Sequence, residues 1–253
     1  MQLSLRLSAI ADLVTQGNRL VDVGCDHGYL PVYLILNKKI PCAIAVDVRE
    51  GPLLRAKEHI VQYGVEAYIE TRLSDGLAAL KPGEGDTLVI AGMGGPLMER
   101  ILSKEWEVTE SFQELILQPQ SDIPHFRRFI RENGWKIEEE DMILEEGKFY
   151  PMMRVIKRRE AYTPWSAVQE HFGKLLLEKQ HPVLRKYLDR EERICNEILK
   201  NLSKTSSKEG QQRAEEIKEE RRLIQAAMAL YESKGTDGMD RGEVSTKGSG
   251  RLG

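Results

Sequence analysis

Residues 21–30 read VDVGCDHGYL: an apolar run carrying Asp22 breaks at Gly24 and Gly28, and Asp26 and His27 stand between those glycines. Glycines at the exit of a strand let a ligand approach the backbone, and the helix that follows offers unpaired amides. The spacing Gly24-x-x-x-Gly28 differs from the GxGxxG that cradles a pyrophosphate, so a ligand without one is expected. Asp47 lies near the end of the next apolar run, AIAVDV, where a carboxylate can accept from both hydroxyls of a ribose. Asp75, in the SDG that follows a third run, can accept from the exocyclic amine of adenine. A sugar, a base and a charged amino-acid end, held by carboxylates and backbone with no phosphate, describe S-adenosylmethionine.

Each residue also has a plainer role. Asp22 can be a turn carboxylate held by nearby amides, Asp26 and His27 a helix N-cap and its neighbour, and Asp47 a surface group at a strand end. Residues 91–95, AGMGG, follow a fourth apolar run, where an enzyme of this kind sets the acceptor against the methyl donor. The Asn/Asp-Pro-Pro-aromatic motif that grips an exocyclic amine is missing there. Bare glycines suit a bulky planar acceptor brought close, and equally mark a tight turn at positive φ.

These residues sit at the ends of alternating elements. Apolar spacing predicts helices over 3–14, 29–36, 51–63, 77–80, 96–102 and 125–133. Strands are predicted over 19–23, 43–48, 67–72, 86–91 and 114–117. Strand composition at 135–140 and 150–158, around an EEGK turn, predicts an antiparallel hairpin. The expected fold class is α/β, a Rossmann-like doubly wound parallel sheet with an antiparallel edge, its ligands at the carboxyl ends of the strands. That domain is placed at 1–160.

From 161 to 232 long polar segments carry two apolar stripes: Leu184, Leu188, Ile194, Ile198 and Leu202, then Ile217, Ile224, Met228 and Tyr231. They predict two long helices folded as an antiparallel coiled-coil pair, the stripes packing between them. Residues 203–210 read as the loop, and 233–253 as a disordered tail.

A formal net charge of -3 announces no global basic field, although a local basic face can coexist with it. Three widely spaced cysteines without a CxxC pair argue against a disulfide framework or a zinc site. No run approaches the roughly 18 apolar residues of a membrane span, and the N-terminus lacks the core of a signal peptide. A cytoplasmic, metal-free, monomeric protein away from membranes is expected.

The strings LSLRLSAIADLV, VDVGCDHGYLP, IAGMGG, LILQP and EEGKFYPMMRV resemble the bacterial tRNA (adenine-N1)-methyltransferases that act on adenosine 22 of the D-arm. The likeness covers most of the chain, because that family also appends a helical coiled-coil domain. It implies S-adenosylmethionine as cofactor and tRNA as partner. Carried over by position, Asp22, Gly24, Asp26, Gly28, Asp47, Asp75, Gly92 and Met93 would line the cofactor pocket. His27, Tyr29 and Leu30 complete the same motif, Val48 and Gly76 adjoin Asp47 and Asp75, and Arg6 would reach the cofactor carboxylate.

Neutral adenine N1 carries no proton to remove, so a general base is not obligatory. Asp26 and His27 are then the catalytic candidates as hydrogen-bonding groups for the adenine edge. N1 lies on the pairing edge, so the base must be extruded; Tyr29 could stack on it or pack in the core. Arg127, Arg128, Arg131, Arg154, Lys157, Arg158 and Arg159 could contact RNA, with a second strip of Lys174, Lys179, Arg185, Lys186 and Arg190. Interleaved glutamates make helix-face ion pairing an equal alternative for that strip. Other acceptors (another RNA base, a small molecule, a protein) and a non-catalytic RNA-binding module with a vestigial pocket are the competing functions.

Overall fold

The computed structural model describes residues 1–158, 161–203 and 207–236, with 232–236 as backbone alone. It divides into two compact units, Met1–Leu184 and the chain from Arg185 onward.

The first unit is built on a seven-stranded sheet in the order β3-β2-β1-β4-β5-β7-β6. Five strands run parallel: β1 (Leu20–Val23), β2 (Ala43–Asp47), β3 (Ile69–Leu73), β4 (Thr87–Met93) and β5 (Glu114–Pro119). The order reverses between β1 and β4, which opens the crevice where such sheets bind ligands. β1, β2 and β5 are buried along their whole length, and they read as near-continuous apolar runs because helices cover both faces. Helices α1 (Leu5–Leu13), α2 (Tyr29–Leu36) and α3 (Glu50–Gln62) share a core with Leu20, Ala43, Ala45 and Val89. On the other face α4 (Gly95–Lys104), α5 (Trp106–Ser111) and α6 (Ile123–Glu132) pack with Val21, Val23, Ile44 and Val46.

The expected hairpin is β6 (Trp135–Glu145) and β7 (Lys148–Lys157), with β7 inserted antiparallel between β5 and β6. Residues 77–80 form a turn, not the expected helix. Gly76 adopts φ +63°, and Ser74 Oγ takes the Ala79 N–H while donating to the Gly76 carbonyl, which closes the segment locally.

The sheet unit runs past residue 160 because two short helices, α7 (Ala167–Phe172) and α8 (Lys174–Glu178), bury Phe172, Leu176 and Leu177. A buried ion pair ties them down. Arg127 and Glu140 are each 1% exposed, and Arg127 Nε donates to Glu140 Oε1 at 2.8 Å. Arg127 Nη1 donates to the Glu170 and His171 carbonyls at 3.0 Å, and Glu140 Oε2 accepts the Leu175 N–H at 3.0 Å. Gly173 sits between them at φ +90°, where a Cβ would stand 2.6 Å from Glu140 Oε1 and 2.8 Å from Arg127 Nη2. Arg131, also buried, donates to the Thr163 carbonyl with Trp165 4.3 Å from its guanidinium, and Arg128 bonds Glu170. Arg154 pairs with Glu114 and Glu139.

The arginine set expected to face RNA is thereby corrected: Arg127 and Arg131 are buried, and Arg128 and Arg154 are held by carboxylates. Arg158 donates to the Arg131 carbonyl; Lys157 is exposed, and Arg159 lies outside the described residues.

In the second unit α9 (Pro182–Leu202) leads to α10 (Lys208–Thr236). Arg221 donates to Asn196 at 3.0 Å and Gln225 to Glu192 at 3.2 Å, rising numbers against falling ones, so the pair is antiparallel. Ile217, Ile224 and Ala227 of α10 and Cys195 of α9 are buried. Arg185 pairs with Asp189 and Arg190 with Glu191, the helix-face alternative; Lys174 and Lys179 belong to the first unit. α10 extends beyond 232, and residues 204–206 and 237–253, which hold part of the expected loop and most of the expected tail, lie outside the described residues. Among the described residues no helix is long and apolar enough to cross a membrane, and no group of three or more His, Cys, Asp or Glu is placed to hold a metal.

Candidate functional site

At the carboxyl ends of β1 to β4 the chain encloses a cavity of about 480 Å³, within the usual size of small-molecule sites. Strand ends, loops and two helices wall it: Gly24 and Asp26 after β1, Asp47 ending β2 with Val48 and Arg49 after it, Ser74 to Gly76 after β3, and Gly92 and Met93 closing β4. Arg6 enters from α1, and Leu97, Arg100 and Ile101 from α4.

Gly24 turns the chain at φ +77°, and its N–H donates to the Val46 carbonyl at 2.8 Å. A Cβ there would meet the flexible end of the Met93 side chain, and the positive φ is what calls for glycine. Asp26 follows at φ +46° and ion-pairs with Arg55 at 3.5 Å.

Asp47 is 6% exposed, and its Oδ1 accepts the Arg49 N–H at 2.9 Å, which fixes the carboxylate. Asp22, also 6% exposed, lies just below the wall. Alternation along β1 and β2 directs both acids to the face covered by α1 to α3. Burial, and then the charge of Asp47, pushes the Asp22 carboxyl up to about 7. Among the described residues none donates a hydrogen bond to it. Burial, and then the charges of Asp22, Asp47 and Asp26, push the Cys25 thiol up.

A β-bulge shapes the last wall. Ala91 pairs with Gln118 and Met93 with Pro119, so Gly92, at φ +78°, falls out of the ladder. Its N–H goes instead to the side-chain oxygen of Gln118 at 3.1 Å, and Arg6 Nη1 donates to the same oxygen at 3.1 Å. Arg6 also stands over the Tyr150 ring at 5.4 Å. Asp75 is gripped by two cations of α4, Arg100 at 3.5 Å and Lys104 at 3.2 Å. Gly76 lets Ile101 approach, its Cβ position being 3.1 Å from that side chain.

Ser74, of the SDG turn, also lines the cavity, as do Arg49, Leu97, Arg100, Ile101 and Gln120, which carry no motif of their own. Gln118 could have been found: like Asp47, it is a polar residue near the end of an apolar strand.

Residues 3–153 match a methyltransferase-domain family model. The chain is 37% identical over 153 residues to the Bacillus subtilis tRNA (adenine(22)-N(1))-methyltransferase, covering 60% of this chain and 64% of that protein's length. A crystal structure from Streptococcus pneumoniae, of a putative tRNA (m1A22) methyltransferase, superposes with a TM-score of 0.81 at 31% identity over 89% of this chain and 99% of that one. The chain belongs to the tRNA (adenine(22)-N1)-methyltransferase family. The pneumococcal protein has also been solved in complex with S-adenosyl-L-methionine, with a TM-score of 0.79 at 30% identity over 89% of this chain and 99% of that one.

The DHGYLP motif splits on folding. Asp26 reaches the cavity, but the next four residues do not line it. Gly28, at φ +68°, is the N-cap of α2 without a side-chain bond, so Asp26 and His27 are not the cap. A Cβ at Gly28 would stand 3.2 Å from Ala56, so this glycine serves the packing of α2 on α3. Leu30 is 3% exposed in the core, the helical period having turned it inward. Tyr29 is exposed, stacked on His27 at 5.4 Å and 4.8 Å from the His59 ring, not packed in the core. The AGMGG turn is also corrected. Cβ positions at Gly94 and Gly95 would lie 2.8 Å and 2.7 Å from Ser121, so these glycines admit the chain's own loop, leaving Ala91, Gly92 and Met93 on the cavity.

Proposed function

We propose that the protein methylates N1 of adenosine 22 in tRNA with S-adenosylmethionine, acting as a cytoplasmic monomer. The observation that carries this is the pair of buried acids: Asp47 in the wall and Asp22 just beneath it, without a described donor. Two such carboxylates at one point call for a ligand bringing hydroxyls and positive charge, not phosphate. The residues present fit that cofactor. Asp47 would take the ribose hydroxyls, Asp75 the adenine amine, Asp22 the amino group and Arg6 the carboxylate.

When bound, the cofactor supplies a methyl group already activated by its sulfonium charge. The chain's task is placement, and holding reactants in line can contribute roughly 7–11 kcal/mol in favourable cases. Met93 and the Gly92 bulge shape the wall. Asp26, held by Arg55 at the cavity, offers negative charge to a ring that becomes cationic as N1 is methylated. His27 supports Asp26 from 3.7 Å and, with Tyr29, presents aromatic surface to an extruded base.

Labelled S-adenosylmethionine and unmodified bulk tRNA test the assignment: 1-methyladenosine at position 22 is expected, and its absence despite demonstrated cofactor binding would overturn it. Asp47→Ala should weaken cofactor binding roughly tenfold to a hundredfold, as loss of hydrogen bonds to a charged group implies; unchanged affinity by calorimetry would refute the ribose role. The helical pair is assigned to tRNA. A chain ending at residue 160 would lose the α7 and α8 contacts of the Arg127–Glu140 pair, so the informative chain ends after Leu184. It should keep cofactor affinity and lose most tRNA affinity; equal loss of both would assign the pair to folding.

A further inference from the structure

We infer that Gln118 is the positioning residue that aims Arg6 at the carboxylate end of the methyl donor, and that its neutrality is what keeps Arg6 selective for an anion. The inference rests on the role proposed above for Arg6. Gln118 is 1% exposed and stands next to last in β5. One oxygen, Oε1, accepts from Arg6 Nη1 and from the Gly92 N–H, both at 3.1 Å. Gly92 is the residue the bulge removes from the ladder, so the side-chain amide replaces the lost backbone acceptor. Gly92 and Arg6 are close neighbours besides, since a Cβ built at Gly92 would lie 3.2 Å from Nη1. A single buried atom thus joins the N-terminal helix to the cavity wall.

The chemistry of the side chain matters as much as its place. A carboxylate at 118 would accept the same two bonds with the same reach, but it would neutralise the guanidinium. Among the described residues no carboxylate lies in ion-pair contact with Arg6; its partners are the neutral amide and the Tyr150 ring. Its charge therefore stays available to an incoming anion, with a directional bond to hold the fork in place.

Gln118→Glu separates the two roles, because it keeps the geometry and removes the free charge. The measurement is calorimetric affinity of the full chain for S-adenosylhomocysteine and for its decarboxylated analogue. The wild type should favour the carboxylate-bearing ligand, and Gln118→Glu should lose roughly tenfold to a hundredfold for that ligand while hardly changing for the analogue. In an Arg6→Gln background the Gln118→Glu effect should vanish. Equal loss for both ligands, or no loss for either, overturns the inference. A wild type that does not discriminate the ligands at all would instead overturn the role of Arg6 itself. Should Gln118→Glu prove too unstable to assay, Gln118→Asn, which withdraws the same neutral amide by one methylene, decides in its place by the same ligand comparison.

Discussion

Arg127→Met is expected to destabilise the sheet unit by about 3–5 kcal/mol, the usual cost of leaving one partner of a buried ion pair uncompensated. The Glu140 carboxylate would stay at 1% exposure with the Leu175 N–H on its Oε2 and the Arg127 donor gone. The last turn of α7 would lose the guanidinium that donates to its Glu170 and His171 carbonyls. The double substitution Arg127→Met with Glu140→Leu should recover most of the loss, since well-packed apolar residues often replace a buried pair at little cost. Thermal melts of the single and double variants check this. If the single variant melts with the wild type, the pair is not what fastens residues 161–178 to the sheet. Gly173→Ala should approach the single variant in severity, because its methyl would drive into both partners while the backbone is held at φ +90°.

Asp22→Asn is expected to do two opposite things: stabilise the empty protein above neutral pH and cripple cofactor binding. The sign follows from the direction of the shift. A carboxyl raised from its unfolded value near 4 to about 7 disfavours the charged form. The folded state is therefore penalised progressively as pH rises from about 4, and fully once pH exceeds about 7. The penalty has an upper bound of about 4 kcal/mol, and the amide escapes it. The melting temperature of Asp22→Asn should thus pull ahead of wild type across that window and level off above it.

Binding runs the other way. A cationic ligand group favours the carboxylate, so cofactor affinity of the wild type should climb between about pH 5 and 7 by at most tenfold per unit. Calorimetry in buffers of different ionisation enthalpy should detect the released proton. An Asp22→Asn variant with the wild-type slope would remove Asp22 from the site. Stability surrendered at a place of function is a common trade.

The alternation of apolar runs and helical periods made the sheet legible, since β1, β2 and β5 are buried along their length and are mostly apolar, their polar residues being Asp22, Asp47, Glu114 and Gln118. Asp22, Asp47 and Asp75 stood out because each interrupts or follows such a run. What escaped was set by distance along the chain. Arg127 and Arg131 look like the polar side of an amphipathic helix, and only Glu140 and Glu170, 13 and 39 residues further on, turn them into buried groups. α5, α7 and α8 span one or two turns, too short for a period to register. Adjacency in a motif is not adjacency in the site: Asp26 faces the cavity, but four residues on, the helix has carried Leu30 into the core. Gly94 and Gly95 announced tight quarters without saying whether a ligand or the chain's own loop would fill them.

The place of β7 sets a problem of timing. It lies between β5 and β6 in space but is the last strand to leave the ribosome, 148–157 against 114–119 for β5. Until it emerges, β5, a strand whose every residue ends up buried, offers a row of unpaired amides and carbonyls to any passing strand. β6, already synthesised, has no correct seat to take and could occupy β7's. A nascent chain of this protein is therefore most exposed to mispairing and aggregation while residues 120–157 are being made. Translation pauses or premature stops in that interval should yield insoluble product, whereas release after Leu184 delivers a sheet with β5 covered.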